Sequence, residues 1–123
     1  MLLRALLTLL VVVGFHATAH ADAYTDALAR FAADSYPETE AAIEGVAGSG
    51  SPLAAEVVAA LRDGRLLVRA TDRAVFVRRQ DGTYGDAATG QAATPAAADL
   101  KPVRLNNRVR RAVDAALGTL TLR

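Results

Sequence analysis

Apolar side chains between residues 23 and 61 recur at the spacing of α-helices. The pair Pro37-Glu38 favours a helix start, because proline is tolerated in the first turn and glutamate complements the helix dipole. The sequence GSGS at residues 48–51 then interrupts the pattern, and Ser51 with Pro52 can begin another helix. We therefore predict short helices, two of which form an αα-hairpin like the units of HEAT-like solenoids. The three apolar stripes are Ala23, Ala27, Leu28, Phe31 and Ala32; Ala42, Ile43, Val46 and Ala47; and Leu53, Val57, Val58 and Leu61.

The pattern changes after Asp63-Gly64, where short apolar runs alternate with turn signals. Residues 65–70 and 74–79 are two strand candidates with a turn between them, and Tyr84 opens a third short strand. Residues 86–90, DAATG, are typical of a turn that links extended pieces. Because a two-stranded ribbon is marginal by itself, we expect this small antiparallel meander to lie on the helices.

The last region combines an extended segment with an amphipathic helix. Residues 100–104 should be extended, because Pro102 disfavours helix in the residue before it. Asn106 or Asn107 can cap a helix that follows. The predicted fold class is therefore α+β, mainly α, with a HEAT-like helical hairpin, a small antiparallel meander and a C-terminal helix. The apolar face of that last helix is Leu105, Val109, Ala112, Val113, Ala116, Leu117 and Leu120.

The first 21 residues are typical of a secretory signal peptide. Arg4 precedes an apolar run of 11 residues from Ala5 to Phe15, and Ala19-His20-Ala21 fits a signal-peptidase site. A membrane-spanning helix needs about 20 residues, so a cleaved signal is favoured over a permanent anchor. We predict two parts, a signal peptide at 1–21 and a single small domain at 22–123 on the extracytoplasmic side.

Cleavage would leave a mature chain with no histidine, cysteine or tryptophan, since both histidines, His16 and His20, belong to the leader. Catalytic pairs built on cysteine or histidine are then excluded, as are zinc and copper sites that need imidazole or thiolate ligands. A hydrolase that uses carboxylates alone has no paired-acid motif here. We predict a protein that is not an enzyme, with no catalytic, cofactor-binding or metal-binding residues and no cofactor.

Charge is divided unevenly along the mature chain. Residues 22–63 carry eight acidic and two basic side chains, and residues 64–123 carry five acidic and eleven basic ones. The spacing of Arg104, Arg108 and Arg111 predicts one face of the last helix, with Arg110 beside them. The favoured interpretation is that these arginines pair with the acidic half and are otherwise solvated. Docking to an acidic protein surface is the second interpretation, binding to anionic lipid headgroups the third, and nucleic acid is disfavoured.

Three weaker signals have ordinary explanations. The doublet Asn106-Asn107 could recognise a small amide, but helix capping is favoured. Glu38, Glu40 and Glu44 could bind a hard cation, but no loop rich in Asp and Asn accompanies them, and a role at the helix dipole is favoured. The Gly-Ser-Gly stretch at 48–50 lacks the Gly-Lys-Ser/Thr of a phosphate-binding loop.

Three stretches, taken together and behind a signal peptide, resemble a known family. They are VVAALRDGRL at 57–66, DAATG at 86–90 and LKPVRLNNRVRR at 100–111, of which residues 101–111 are the most specific. The chain from about Tyr24 to Leu120 resembles the N-terminal extracytoplasmic region of the permease subunit of bacterial urea ABC transporters. That family is related to the branched-chain amino acid permeases.

The resemblance implies a periplasmic, partly HEAT-like module that precedes a multi-span permease core. It implies as partners a second permease subunit, cytoplasmic ATPases and a periplasmic urea-binding protein. Family members continue through further helices and membrane spans, whereas this sequence stops at Arg123, so we expect a fragment or a truncated copy that cannot move urea alone. We expect a non-catalytic scaffold or docking role, with Arg104, Arg108, Arg110 and Arg111 as the candidate docking residues. The alternative is a free-standing secreted protein-binding module unrelated to transport.

Overall fold

The structure is a computed structural model, and it describes residues 23–121 of the chain. The predicted signal peptide at 1–21 lies outside these residues. Four α-helices occupy 23–30 (α1), Tyr36–Gly48 (α2), Ala54–Arg62 (α3) and Asn107–Thr121 (α4). A 3-10 turn, Phe31–Ala33, continues α1 toward α2, and a second one, Ala97–Asp99, precedes β5. Within the described residues, no helix is long and apolar enough to cross a membrane.

The strands between α3 and α4 form one antiparallel sheet. They are Leu66–Arg69 (β1), Ala74–Arg78 (β2), Tyr84–Asp86 (β3), Ala92–Ala93 (β4) and Leu100–Pro102 (β5). Their order across the sheet is β4-β3-β2-β1-β5, so the chain returns from one edge to the other before it enters α4. The fold is therefore α+β and mainly α, as the sequence predicts.

Alternation along β1 and β2 divides their side chains between the two faces of the sheet. Leu66 lies opposite Val77, and Val68 lies opposite Val75; all four belong to the main core, which faces the helices. Leu67 and Phe76 pair on the other face, where the Arg69 guanidinium lies 5.1 Å from the Phe76 ring centre. The helices thus form one layer against one face of the sheet.

The predicted hairpin of α2 and α3 is present, and α4 completes it. α4 contacts both α2 and α3, and it contacts each of them more extensively than they contact each other. Val109 and Val113 of α4 are fully buried at this junction, together with Ile43 of α2 and Leu61 of α3. The faces that a lone hairpin would leave exposed are therefore covered by α4 and by the sheet.

Two element boundaries differ from the sequence-based expectation. The third helix begins at Ala54 rather than at Pro52, because Ser51 closes a turn instead of capping the helix. The Ser51 hydroxyl accepts a hydrogen bond from the Leu53 amide at 3.2 Å, and the Ser51 carbonyl accepts one from Ala54. The short strand β4 was not predicted, since its two alanines have no strand preference and depend on pairing with β3.

Candidate functional site

The four candidate docking arginines occupy three different environments. Arg104 lies before α4, which begins at Asn107, so the prediction that it shares a helix face with Arg108 and Arg111 is wrong. The reason is the extended segment after Pro102, which runs through Val103 on the sheet before the helix cap at Asn106. The helical spacing of the arginines across residues 104–111 therefore does not place them on one surface.

Arg104 is held against the N-terminal part of the fold. Its Nε donates to an Asp34 carboxylate oxygen at 2.9 Å, and its guanidinium carbon lies 5.2 Å from the centre of the Tyr36 ring. Asp34 adopts a left-handed backbone conformation with φ of 54°, which places its carboxylate between the 3-10 turn and α2. Arg104 thus connects two segments that are 70 positions apart in the chain.

Arg108 joins α4 to α2 through an ion pair. Its Nε lies 2.8 Å from a carboxylate oxygen of Glu40, and the side chain of Arg108 is 78% exposed while that of Glu40 is 22% exposed. An ion pair at such a solvent-accessible position contributes about 0–1 kcal/mol to stability. Arg104–Asp34 and Arg108–Glu40 both connect the acidic half of the chain to the basic half, as the favoured interpretation of the charge division predicts.

Arg110 and Arg111 are exposed and make no ion pair with any residue between 23 and 121. At about 100° per residue, Arg111 points away from the helix face that buries Val109 and Val113. Arg110 lines a shallow depression of about 130 Å³ on the α3 side of α4, together with Arg62 and Asp114. These two guanidinium groups are the part of the predicted set that forms no ion pair among the described residues.

Several polar residues that the sequence analysis gave as weaker candidates for binding have partners within the fold. Asn106 caps α4, because its side-chain oxygen accepts a hydrogen bond from the Val109 amide at 2.8 Å. Glu38 pairs with Arg30 at 3.2 Å, and Glu40 pairs with Arg108, so two of the three candidate cation ligands contact arginines. Among residues 23–121, no group of three or more acidic or histidine side chains is placed to hold a metal ion.

A cleft of about 550 Å³ opens beside the edge strand β5, and sequence reasoning missed it. The 3-10 turn and the start of α2 form one wall, and β1 with β5 and the residues that follow form the other. Phe31, Val68 and Val103 form its apolar part. Lys101 and Arg104 are its two cationic side chains. No sequence motif predicts this cleft, because its lining comes from four segments that come together only when the chain folds.

The clearest titration effect lies away from these arginines. Burial raises the pKa of the Tyr24 hydroxyl to about 12. The hydroxyl donates a hydrogen bond to the carbonyl oxygen of Ala87, which connects α1 to the turn after β3. A neutral buried phenol that donates to a backbone carbonyl is a structural group, so this shift marks a tie within the fold rather than an acid–base catalyst.

No protein-family model, curated protein or solved structure matches this chain.

Proposed function

We propose that this chain is a non-catalytic extracytoplasmic domain of a urea ABC transporter permease subunit, and that it docks or scaffolds other subunits during urea uptake. The proposal rests on the resemblance of residues 57–66, 86–90 and 100–111 to that family, behind a segment typical of a signal peptide. Its partners would be the periplasmic urea-binding protein and the second permease subunit. The ATPases would be reached only through the membrane spans that a full permease subunit carries.

The observation that carries the docking role is that Arg110, on the α3 side of α4, and Arg111, on its outer side, make no ion pair within residues 23–121. Guanidinium groups that are already free of internal ion pairs can bind carboxylates of a partner in a bidentate way without first breaking a bond within the fold. Arg104 and Arg108 are poorer candidates, because a partner would have to compete with Asp34 and Glu40. The proposal therefore requires an acidic surface on the urea-binding protein.

Reversing the charge of these two exposed arginines tests the docking role without disturbing the buried face of α4. We expect the double variant Arg110→Glu/Arg111→Glu to bind the periplasmic urea-binding protein of the same organism about tenfold more weakly at low salt, equivalent to ~1.4 kcal/mol. The matched control is Arg73→Glu/Arg78→Glu, which changes the charge equally at two exposed arginines, one in the turn before β2 and one at the end of β2. Binding would be measured by surface plasmon resonance at two ionic strengths, because exposed charge pairs weaken as salt screens them.

Equal losses in the two double variants would refute docking through α4, since net charge alone would then explain the effect. The link to a transporter has its own test in the gene. A reading frame that continues beyond the Arg123 codon into apolar spans of about 20 residues supports a permease. A stop codon with unrelated neighbouring genes would support the free-standing secreted module instead.

A further inference from the structure

The cleft beside β5 has the size and lining of a site for a small organic molecule. Its volume of about 550 Å³ falls within the range of roughly 300–1,000 Å³ that is typical of ligand pockets. Such pockets combine an apolar lining with a few polar groups that fix the orientation of the ligand. Phe31, Val68 and Val103 form the apolar floor of the cleft and are almost fully buried. The apolar surface that a ligand can reach comes from the partly exposed Ala32 and Tyr36 and the exposed Ala70 and Pro102.

The pairing of β5 with β1 explains why the Lys101 side chain lies beside this apolar lining. Lys101 pairs with Val68 across β5 and β1, so the two side chains lie on the same face of the sheet. That face is the one turned toward the helices, and Val68 belongs to the main core. Because β5 is the edge strand, Lys101 is exposed at the rim while Val68 lies below it. The ammonium group is therefore placed at the mouth of the cleft by the pairing itself.

The charged groups of the cleft leave an excess of positive charge. Lys101 and Arg104 are its cations, and Asp34 is its one acid. The Asp34 carboxylate is already bound by Arg104, so it does not neutralise Lys101. Arg104 donates through Nε to the carboxylate and through Nη2 to the Asp34 carbonyl, which uses two of the five N–H donors of a guanidinium. Donors therefore remain for an anionic ligand at the same rim.

We propose that this cleft binds a small monocarboxylate with an apolar body, for which decanoate serves as the probe. The apolar body lies against Ala32, Tyr36 and Ala70, above the buried side chains of Phe31 and Val68. The carboxylate meets Lys101 and the free donors of Arg104. A carboxylate suits this rim better than a neutral or cationic head group, because hydrogen bonds from charged donors are strongest with an ionised acceptor. The site is separate from the docking surface, since neither Arg110 nor Arg111 lines it.

The test is an NMR titration of the ¹⁵N-labelled full chain with decanoate. We expect saturable shifts at the amides of Phe31, Val68 and Val103. Decanol, which has the same apolar body without the charge, should bind at least tenfold more weakly, and decyltrimethylammonium should not shift these amides. Absence of saturable shifts, shifts confined to other surfaces, or equal affinity for decanoate and decanol would each overturn the proposal.

Two variants test the two halves of the site separately. Lys101→Glu reverses the rim charge at an exposed position and should weaken decanoate binding about tenfold, equivalent to ~1.4 kcal/mol. Ala70→Phe places a ring in the cleft from an exposed turn, and it should abolish binding of both decanoate and decanol. Arg78→Glu is the matched control, an exposed cation outside the cleft, and it should bind decanoate as the unmodified chain does.

Circular dichroism melts show whether each variant stays folded, so that a loss of affinity is measured on intact protein. Unchanged binding by folded Lys101→Glu, or an equal loss in Arg78→Glu, would contradict a carboxylate held at this rim. These results are independent of the transporter proposal, because the urea-binding protein takes no part in the titration.

Discussion

Gly45 of α2 is a position where the helical layer has no room for a larger side chain. A Cβ added at Gly45 would lie 2.8 Å from the Cβ of Ala27 in α1, whereas carbon atoms in contact are normally about 3.5–4.0 Å apart. Ala27 is buried, so α1 has no solvent-filled space on that side into which it can move freely. We therefore expect Gly45→Ala to destabilise the protein, although alanine is the better helix former.

A second glycine of the same helix isolates the size of this effect. Gly48→Ala adds the same methyl group where nothing lies within 4 Å, so it should be neutral or stabilise by up to ~1 kcal/mol through helix propensity. Gly45→Ala gains a similar propensity term but also carries an overpacking cost of about 1–3 kcal/mol. Its net effect should be a loss of about 0–2 kcal/mol, and the difference between the two variants estimates the packing cost.

Urea denaturation followed by far-UV circular dichroism measures both free energies of unfolding. The compensating variant Ala27→Gly/Gly45→Ala removes the opposing methyl group, after which the nearest atom is the Ala27 Cα at 3.8 Å. The double-mutant cycle should therefore give a favourable coupling of about 1–3 kcal/mol. If Gly45→Ala were as stable as Gly48→Ala, or the coupling were zero, α1 would not pack on α2 at this point and the reasoning would fail.

Two further predictions concern single hydrogen bonds. Tyr24 loses its proton at about pH 10 when unfolded and about pH 12 when folded, so its contribution is complete below pH 10 and stability should fall between pH 10 and 12. Tyr24→Phe should reduce that fall and cost about 1 kcal/mol at pH 7; identical urea midpoints against pH in both proteins would contradict this. Asn106→Ala should cost about 1 kcal/mol of unfolding free energy because it removes the cap of α4. Asn107→Ala should cost almost nothing, and equal losses at both positions would show that Asn106 is not the cap.

The sequence predicts the fold wherever one face of an element is buried. The short apolar runs of β1 and β2 and the apolar stripe of α4 indicate burial directly, because consecutive or periodic apolar side chains are stable only when they are covered. The cap at Asn106 was predictable for a similar reason, since it depends on residues that are close in the chain. Such local rules need no knowledge of which elements meet.

Contacts between distant segments could not be predicted in this way. The position of Arg104 depends on where β5 ends and where Asp34 arrives, and those two segments are 70 residues apart. The cleft has the same origin, because its lining requires the 3-10 turn, β1 and β5 to be brought together first. A helical wheel drawn through residues 104–111 assigns Arg104 to a surface that the fold never forms. Long-range pairing must be known before the spacing of charges can identify a site.

Estimated contributions to stability show that α4 is attached to the fold by its valines rather than by its arginines. Fully burying a valine side chain stabilises a protein by about 1.5–3 kcal/mol, so Val109 and Val113 together outweigh an exposed ion pair worth about 0–1 kcal/mol. The helix is therefore attached by its apolar face, and its outer charges contribute little to stability. Charge reversal at Arg110 and Arg111 therefore tests the proposed partner binding while the fold persists. Substitutions at Val109 or Val113 would lower both the stability of the fold and any binding that depends on it. They could not distinguish a docking role from a folding role.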